Sequence, residues 1–190
     1  MNSQPASAYF IEERREVLVT HTLAVLVDNE PGVLARVIGL FSARGYNIES
    51  LTVSEVSHER HVSRITIVTT ATLDVLDQIK KQLGRLVPVH QVLDLTQIAK
   101  NNKDDKPLER ELALVKVKGT GEARLEALRL ADAFRAQVID ATTEHFVFEI
   151  IGRVSKIEQF VEIMRPLGLI EVCRTGVAAL ARGSEGMAAE

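Results

Sequence analysis

The order in which hydrophobic spacing changes along the chain constrains the fold more than any single motif. Thr22 to Val27 is a short apolar run that ends at Asp28-Asn29-Glu30-Pro31-Gly32, the pattern of a strand giving way to a helix start. Proline suits a first helical turn because its missing N–H would be unpaired there, and Asp28 and Asn29 offer capping oxygens just before it. Val33, Leu34, Val37, Ile38 and Phe41 then recur at helical spacing until Gly45. From Tyr46 the period becomes two, with Leu51, Val53 and Glu55 on one side of a half-buried strand and Ser50, Thr52 and Ser54 on the other. Ser57 to Arg60 reads as a polar turn, and Ile65 and Ile67 alternate with Arg64 and Thr66 in the second arm of a hairpin. Thr72 is placed to cap a helix carrying Leu76, Ile79 and Leu83, which Gly84 closes, and Leu86 to Leu95 supplies a last strand. The order is βαββαβ.

The same order returns after a polar, aperiodic stretch from Thr96 to Pro107 that reads as a linker. Glu111 to Lys118 alternates as a strand, Gly119-Thr120-Gly121 turns the chain, and Ala127, Leu130, Ala131 and Phe134 share a helix face. Ala136 to Thr142 and His145 to Ile151 form a second hairpin. Ser155 is expected to cap a helix with Ile157, Phe160, Val161 and Met164, and Leu169 to Arg174 closes the unit. Two helices against one face of a four-stranded antiparallel sheet is a ferredoxin-like sandwich, so an α+β fold of two βαββαβ domains is expected. The expected boundaries are a flexible N-terminal extension over 1–20, a first domain over 21–96, a linker over 97–108, a second domain over 109–176 and a flexible tail over 177–190.

Composition narrows the function classes. With 23 basic and 26 acidic side chains and a net charge of -3, the chain lacks the electrostatic footprint of a nucleic-acid or membrane-surface binder. Its one cysteine, Cys173, rules out an internal disulfide framework and a Cys-rich zinc site; on an apolar strand it is expected to be buried. Tyr9, Phe10 and Ile11 run directly into Glu12 to Glu16, unlike a secretion signal, and no apolar run is long enough to span a bilayer. A soluble, unprocessed, cytoplasmic protein is expected. The five histidines His21, His58, His61, His90 and His145 fall at strand ends or in a turn without metal-ligand spacing, and no Walker loop, nucleophile elbow or complete dinucleotide glycine motif occurs. Gly119-Thr120-Gly121 reads as a turn.

The junction from Asp28 to Leu34 stands out. A helix N-terminus presents unpaired N–H groups and partial positive charge, here at Gly32, Val33 and Leu34, and Gly32 has no side chain to block a carboxylate or phosphate. The plainer reading is that Pro-Gly simply starts a helix well. Against it stands Gly45-Tyr46-Asn47-Ile48, which returns the chain with a polar Asn at the mouth of an apolar strand; its amide both accepts from an ammonium and donates to a carboxylate. Such a pair of features suits an amino-acid zwitterion.

The run from Asp28 to Val53, with Asp-Asn-Glu-Pro-Gly and Arg-Gly-Tyr-Asn-Ile-Glu-Ser-Leu within it, resembles the ACT domain of acetolactate synthase small (regulatory) subunits. The resemblance extends through Ser63 to Ile67, Lys81 to Leu83, Glu109 to Val117, Phe134 to Asp140 and Arg174 to Val177. It implies a non-catalytic subunit, without cofactors of its own, of a transferase whose large subunit uses thiamine diphosphate, Mg²⁺ and FAD. That enzyme condenses two pyruvates, or pyruvate with 2-oxobutanoate, at the start of valine, isoleucine and leucine synthesis. Docking would raise the large subunit's activity, and valine bound to the small subunit would lower it. The implied effector residues are Asn29, Gly32, Val33 and Leu34 of one protomer with Asn47 and Ile48 of the other, across an ACT homodimer; no catalytic or metal residue is implied. The Asn-Glu-x-Gly pattern is intact, with Pro31 at its variable position. Two other classes compete. An RNA-recognition sheet needs exposed strand aromatics, which Ser63 to Thr70 lacks, and Phe146 and Phe148 lie among apolar neighbours that suit a core. An ACT-domain sensor of a different amino-acid enzyme would carry the same junction. A free-standing enzyme finds no acid, base, nucleophile or metal cluster to support it.

Overall fold

The computed structural model describes residues 17–101, 107–184, 186 and 187. The first unit contains β1 (Val19–Asp28), α1 (Val33–Arg44), β2 (Ser50–Ser57), β3 (Val62–Ala71), α2 (Leu73–Leu83) and β4 (Val89–Asp94). Its strands lie in the order β2-β3-β1-β4, all neighbours antiparallel, with β1 paired to β3 from Val19 opposite Ala71 to Asp28 opposite Val62. Alternation along the central strands sends Leu23, Val25, Val27, Ile65 and Ile67 to one face. There they meet Val37 and Phe41 of α1 and Ile79 and Leu83 of α2.

After a short helix, α3 (Leu95–Asn101), the second unit repeats the order. It contains β5 (Leu108–Lys118), α4 (Gly121–Ala133), β6 (Gln137–Ala141), β7 (His145–Gly152), α5 (Val154–Met164) and β8 (Leu169–Arg174), with strand order β6-β7-β5-β8. Val115, Val117, Phe146, Phe148 and Ile150 of its sheet pack on Ala127 and Ala131 of α4 and Ile157, Phe160 and Met164 of α5. Phe148 and Phe160 meet edge to face at 6.0 Å, which spends both aromatics on the core rather than on an exposed stacking surface. The molecule is thus an α+β pair of ferredoxin-like sandwiches.

Several local expectations give way. Strand β4 starts at Val89 rather than Leu86, because the chain first completes a turn in which the Val89 N–H donates to the Leu86 carbonyl at 3.0 Å. Residues read as the start of a linker form α3 instead. Asp94 is the cause: its Oδ1 accepts the Gln97 N–H at 2.9 Å, an N-cap bond, while its Oδ2 accepts from His21 Nδ1 at 2.8 Å. Leu95 is buried beside it. Residues 102–106 of the expected linker lie outside the described residues.

The expected tail is the larger departure. Residues 178–180 form β9 (Ala178–Leu180), paired antiparallel with Leu108 to Arg110 of β5, and Val177 and Ala179 are buried against Ala24, Val68 and Leu95. Small side chains let this strap lie flat across the face of the first sheet that its helices leave bare. At the other end, Val19 and Thr20 belong to β1 rather than to an extension, whose residues 1–16 lie outside the described residues.

Two caps differ as well. Asp28 turns away from α1 to bond His90 Nε2 at 2.7 Å, and the N-cap is Gly32, at φ 86° and without a side-chain cap. Helix α5 is capped by the Arg153 backbone, leaving Ser155 inside its first turn, whereas Thr72 does accept the Val75 N–H at 3.4 Å. Cys173 is exposed, because β8 is an edge strand and Cys173 lies opposite Leu114 on the face away from the helices.

Candidate functional site

The end of β1 is held from two sides before α1 begins. The Asp28 N–H donates to the Pro88 carbonyl at 2.9 Å and the Asn29 N–H to the His61 carbonyl at 2.6 Å, which anchors the turn to both neighbouring loops. Gly32 then adopts a left-handed conformation open to few residues besides glycine. No atom lies within 4 Å of where a Cβ on Gly32 would sit, so the space in front of the helix is open. The Val33 N–H makes a long bond, 3.3 Å, to the Glu30 carbonyl, while the N–H groups of Gly32 and Leu34 have no acceptor among the described residues. Val33 is buried in the core and Leu34 is 38% exposed, giving the opening one apolar wall.

Asn47 and Ile48 lie at the other end of the same helix. Gly45, left-handed at φ 68°, ends α1 and turns the chain so that Asn47 is exposed while Ile48 packs partly on the core. The Asn47 carbonyl accepts from Thr69 Oγ1 at 2.6 Å, which fixes the backbone there. Helix α1 has 12 residues, and at 1.5 Å per residue it spans about 18 Å. One chain therefore brings Asn29, Gly32, Val33 and Leu34 together and holds Asn47 and Ile48 far from them.

A ring of polar groups around Asn29 escaped the sequence reading. Glu55 is held below the usual carboxylate range by its hydrogen bond with His58, the largest cause, and further by one from the Asn29 side chain. The signal was present: Glu55 shares a strand side with Leu51 and Val53, where a third apolar residue would fit the alternation. Histidine pairing was missed too, since His21, His58, His90 and His145 bond Asp94, Glu55, Asp28 and Asp140 respectively. The His21–Asp94 and His90–Asp28 pairs join residues 73 and 62 apart, which spacing along the chain could not reveal, whereas His58–Glu55 and His145–Asp140 are three and five residues apart. Among the described residues no group of three or more His, Cys, Asp or Glu is arranged to hold a metal ion, and no helix is long and apolar enough to cross a membrane.

The roomier clefts of the single chain lie elsewhere. One of about 430 Å³ runs between α5 and β8, and one of about 420 Å³ lies where β2 and β3 face Glu111, Arg174 and Gly176. In the second, Glu111 is 4% exposed and its two oxygens accept from Arg174 Nε at 2.8 Å and Nη2 at 2.6 Å. That bidentate bond holds the Arg174 guanidinium charged to still higher pH than usual.

A ferredoxin-like sandwich whose first helix opens on a left-handed glycine is the architecture of an ACT-type domain. The sequence agrees: residues 23–91 match the family described as the AHAS small subunit-like ACT domain, and residues 110–183 match the small subunit of acetolactate synthase. The chain belongs to the acetolactate synthase small-subunit family. It is 39% identical over 170 residues to the acetolactate synthase small subunit of Mycolicibacterium smegmatis, covering 90% of this chain and 95% of that one. It is 43% identical over 164 residues to the isozyme 3 small subunit of Salmonella typhimurium, covering 86% and 96%. The crystal structure of the Thermotoga maritima small subunit superposes with a TM-score of 0.77 at 35% identity, covering 88% of this chain and 99% of that chain.

Proposed function

We propose that this chain is the regulatory subunit of a cytoplasmic acetolactate synthase: it raises the activity of a large subunit and makes it sensitive to valine. Thiamine diphosphate, Mg²⁺ and FAD belong to the large subunit, which makes 2-acetolactate from two pyruvates or 2-aceto-2-hydroxybutanoate from pyruvate and 2-oxobutanoate. The observation that carries the effector site is the placement of its two halves at opposite ends of α1, both open. Two copies packed side by side bring one protomer's Asn29, Gly32, Val33 and Leu34 to its partner's Asn47 and Ile48.

Each half then has a task. The N–H groups of Gly32 and Leu34, with the partial positive charge of the helix start, receive the α-carboxylate. The Asn47 amide oxygen receives the α-ammonium. Leu34 and Ile48 enclose a small branched apolar side chain, where an acidic or basic one would lose its water without a partner. A ligand bound across the interface favours the dimer by mass action. The test is reconstitution with the large subunit: the isolated chain should turn over no pyruvate, its addition should raise the large subunit's rate, and valine should lower that raised rate. A large-subunit rate indifferent to the chain overturns the reading.

A further inference from the structure

We propose that the segment from Arg174 to Leu180 relays occupancy of the effector site to the second domain, with Ser50, Thr52 and Arg64 as the positioning residues that receive it; this rests on the effector reading above. The segment crosses the first sheet as a strap, tied by side chains to backbone. Ser50 Oγ accepts the Val177 N–H at 2.9 Å, Thr52 Oγ1 donates to the Val177 carbonyl at 2.8 Å, and Arg64 Nη2 donates to the Ala179 carbonyl at 2.6 Å. Contact is close: a Cβ on Gly176 would sit 2.7 Å from Ser50 Oγ and 3.0 Å from Thr52 Cγ2. These bonds use the polar side of β2, whose Ser-x-Thr alternation otherwise reads as a solvent face.

Both ends of the strap connect to something that matters. Ser50 follows Ile48 by two residues, on an edge strand paired among the described residues with β3 alone, and Asn47, Glu49 and Ser50 are all tied to that neighbour, so a ligand that shifts Asn47 and Ile48 pulls on the start of β2. On the far side the strap continues into Arg174, locked by both its bonds to buried Glu111, and β9 pairs with the start of β5. A displacement at Ser50 and Thr52 therefore reaches the edge and centre of the second sheet through hydrogen bonds and covalent chain alone. Such a contiguous network carries coupling only if the strap has two arrangements that the ligand biases, which makes its protection against hydrogen exchange the decisive observable.

The experiment uses the full chain, alone and reconstituted with the large subunit. In wild type, valine should change the exchange rate of the Val177 and Ala179 amides by about tenfold or more. Ser50→Ala with Thr52→Val should bind valine within about twofold of wild type by calorimetry and still activate the large subunit. Its maximal inhibition by valine should weaken about five- to tenfold, the scale of a typical coupling between sites. Thr52→Ser, which restores the hydroxyl, should restore inhibition, as a merely structural role would not require. Wild-type exchange at Val177 and Ala179 unmoved by bound valine overturns the relay, and needs no variant to fold. So does full inhibition in the double variant. Absence of valine binding to wild type overturns the effector reading itself, and the relay falls with it.

Discussion

The central strands of the two units carry the same register of apolar residues but live in different surroundings. In β1, seven consecutive residues from His21 to Val27 are buried, whereas in β5 burial alternates strictly from Glu111 to Val117. The first sheet has helices on one face and the strap of the second unit on the other; the second sheet has helices on one face only. An antiparallel sheet is stable in either setting, so local pattern alone does not distinguish them. The second unit therefore completes the first: Val177 and Ala179 serve the core around Ala24 and Val68, not their own sheet.

The largest expected effect tests that asymmetry directly. Ala24→Glu places a charge between the first sheet and the strap, where Ala24 has no exposed surface, and should cost of the order of 4 kcal/mol. Leu114→Glu, on the bare face of β5, should cost under about 1 kcal/mol. Thermal melts of the two variants that coincide would contradict the covered-face assignment. Next in size is Arg174→Ala, which leaves Glu111 buried without its partner. The expected loss is about 3 kcal/mol, and Arg174→Lys should recover only part of it because one ammonium cannot span both carboxylate oxygens.

The elements were legible where hydrophobic period and glycine agree. Val37 and Phe41 before Gly45, or Ile79 and Leu83 before Gly84, announce a helix and its end together, whereas in the second unit α4 ends at Phe134 without a glycine and only the apolar period marks it. What was hidden depends on residues far apart in the chain. The tail after Gly176 is Ala- and Gly-rich, which locally argues for disorder, and becomes a strand only because Ser50, Thr52 and Arg64 wait for its backbone. Helix α3 was obscured because its cap, Asp94, reads as the end of a strand. Gly32 was found as an open helix start, yet its left-handed φ belongs to a turn whose geometry the Asp-Asn-Glu-Pro-Gly letters do not state.

The two units share a left-handed glycine at a helix start. Gly32 at φ 86° and Gly121 at φ 61° are both left-handed with open space around a Cβ. Gly32→Ala and Gly121→Ala should each cost roughly 1 to 2 kcal/mol of stability through backbone strain. Only changes at Gly32 should affect valine. Gly32→Asp adds a like charge to the carboxylate's place, so valine inhibition should fall at least about tenfold beyond the Gly32→Ala control, read by titrating the reconstituted enzyme. Asn47→His should lose inhibition with a smaller change in melting temperature, while Gln137→His, at the corresponding position after α4, should leave it intact. Equal losses at both helix starts would mean that the second unit, too, takes part in binding.

The smallest effect concerns acid. Glu55 titrates below its ordinary value of 4.5 because His58 and Asn29 hydrogen-bond its ionised form. A carboxylate depressed in the folded state adds stability that is present above its unfolded value and disappears as pH falls through the folded one. Among the described residues the second unit shows no such contact at the start of α4, so acidification below about pH 4.5 should loosen the Asn29 side first. Glu55→Gln keeps an acceptor for Asn29 but removes the titration, and should flatten that part of the stability profile by removing the increment near neutrality while leaving stability at low pH unchanged. The Asn29 side-chain amide, followed by NMR from pH 6 down to pH 3, should shift with the Glu55 carboxylate in wild type and stay still in the variant. An Asn29 resonance that titrates equally in both would detach Glu55 from the site and leave Asn29 held by its backbone bond to His61 alone.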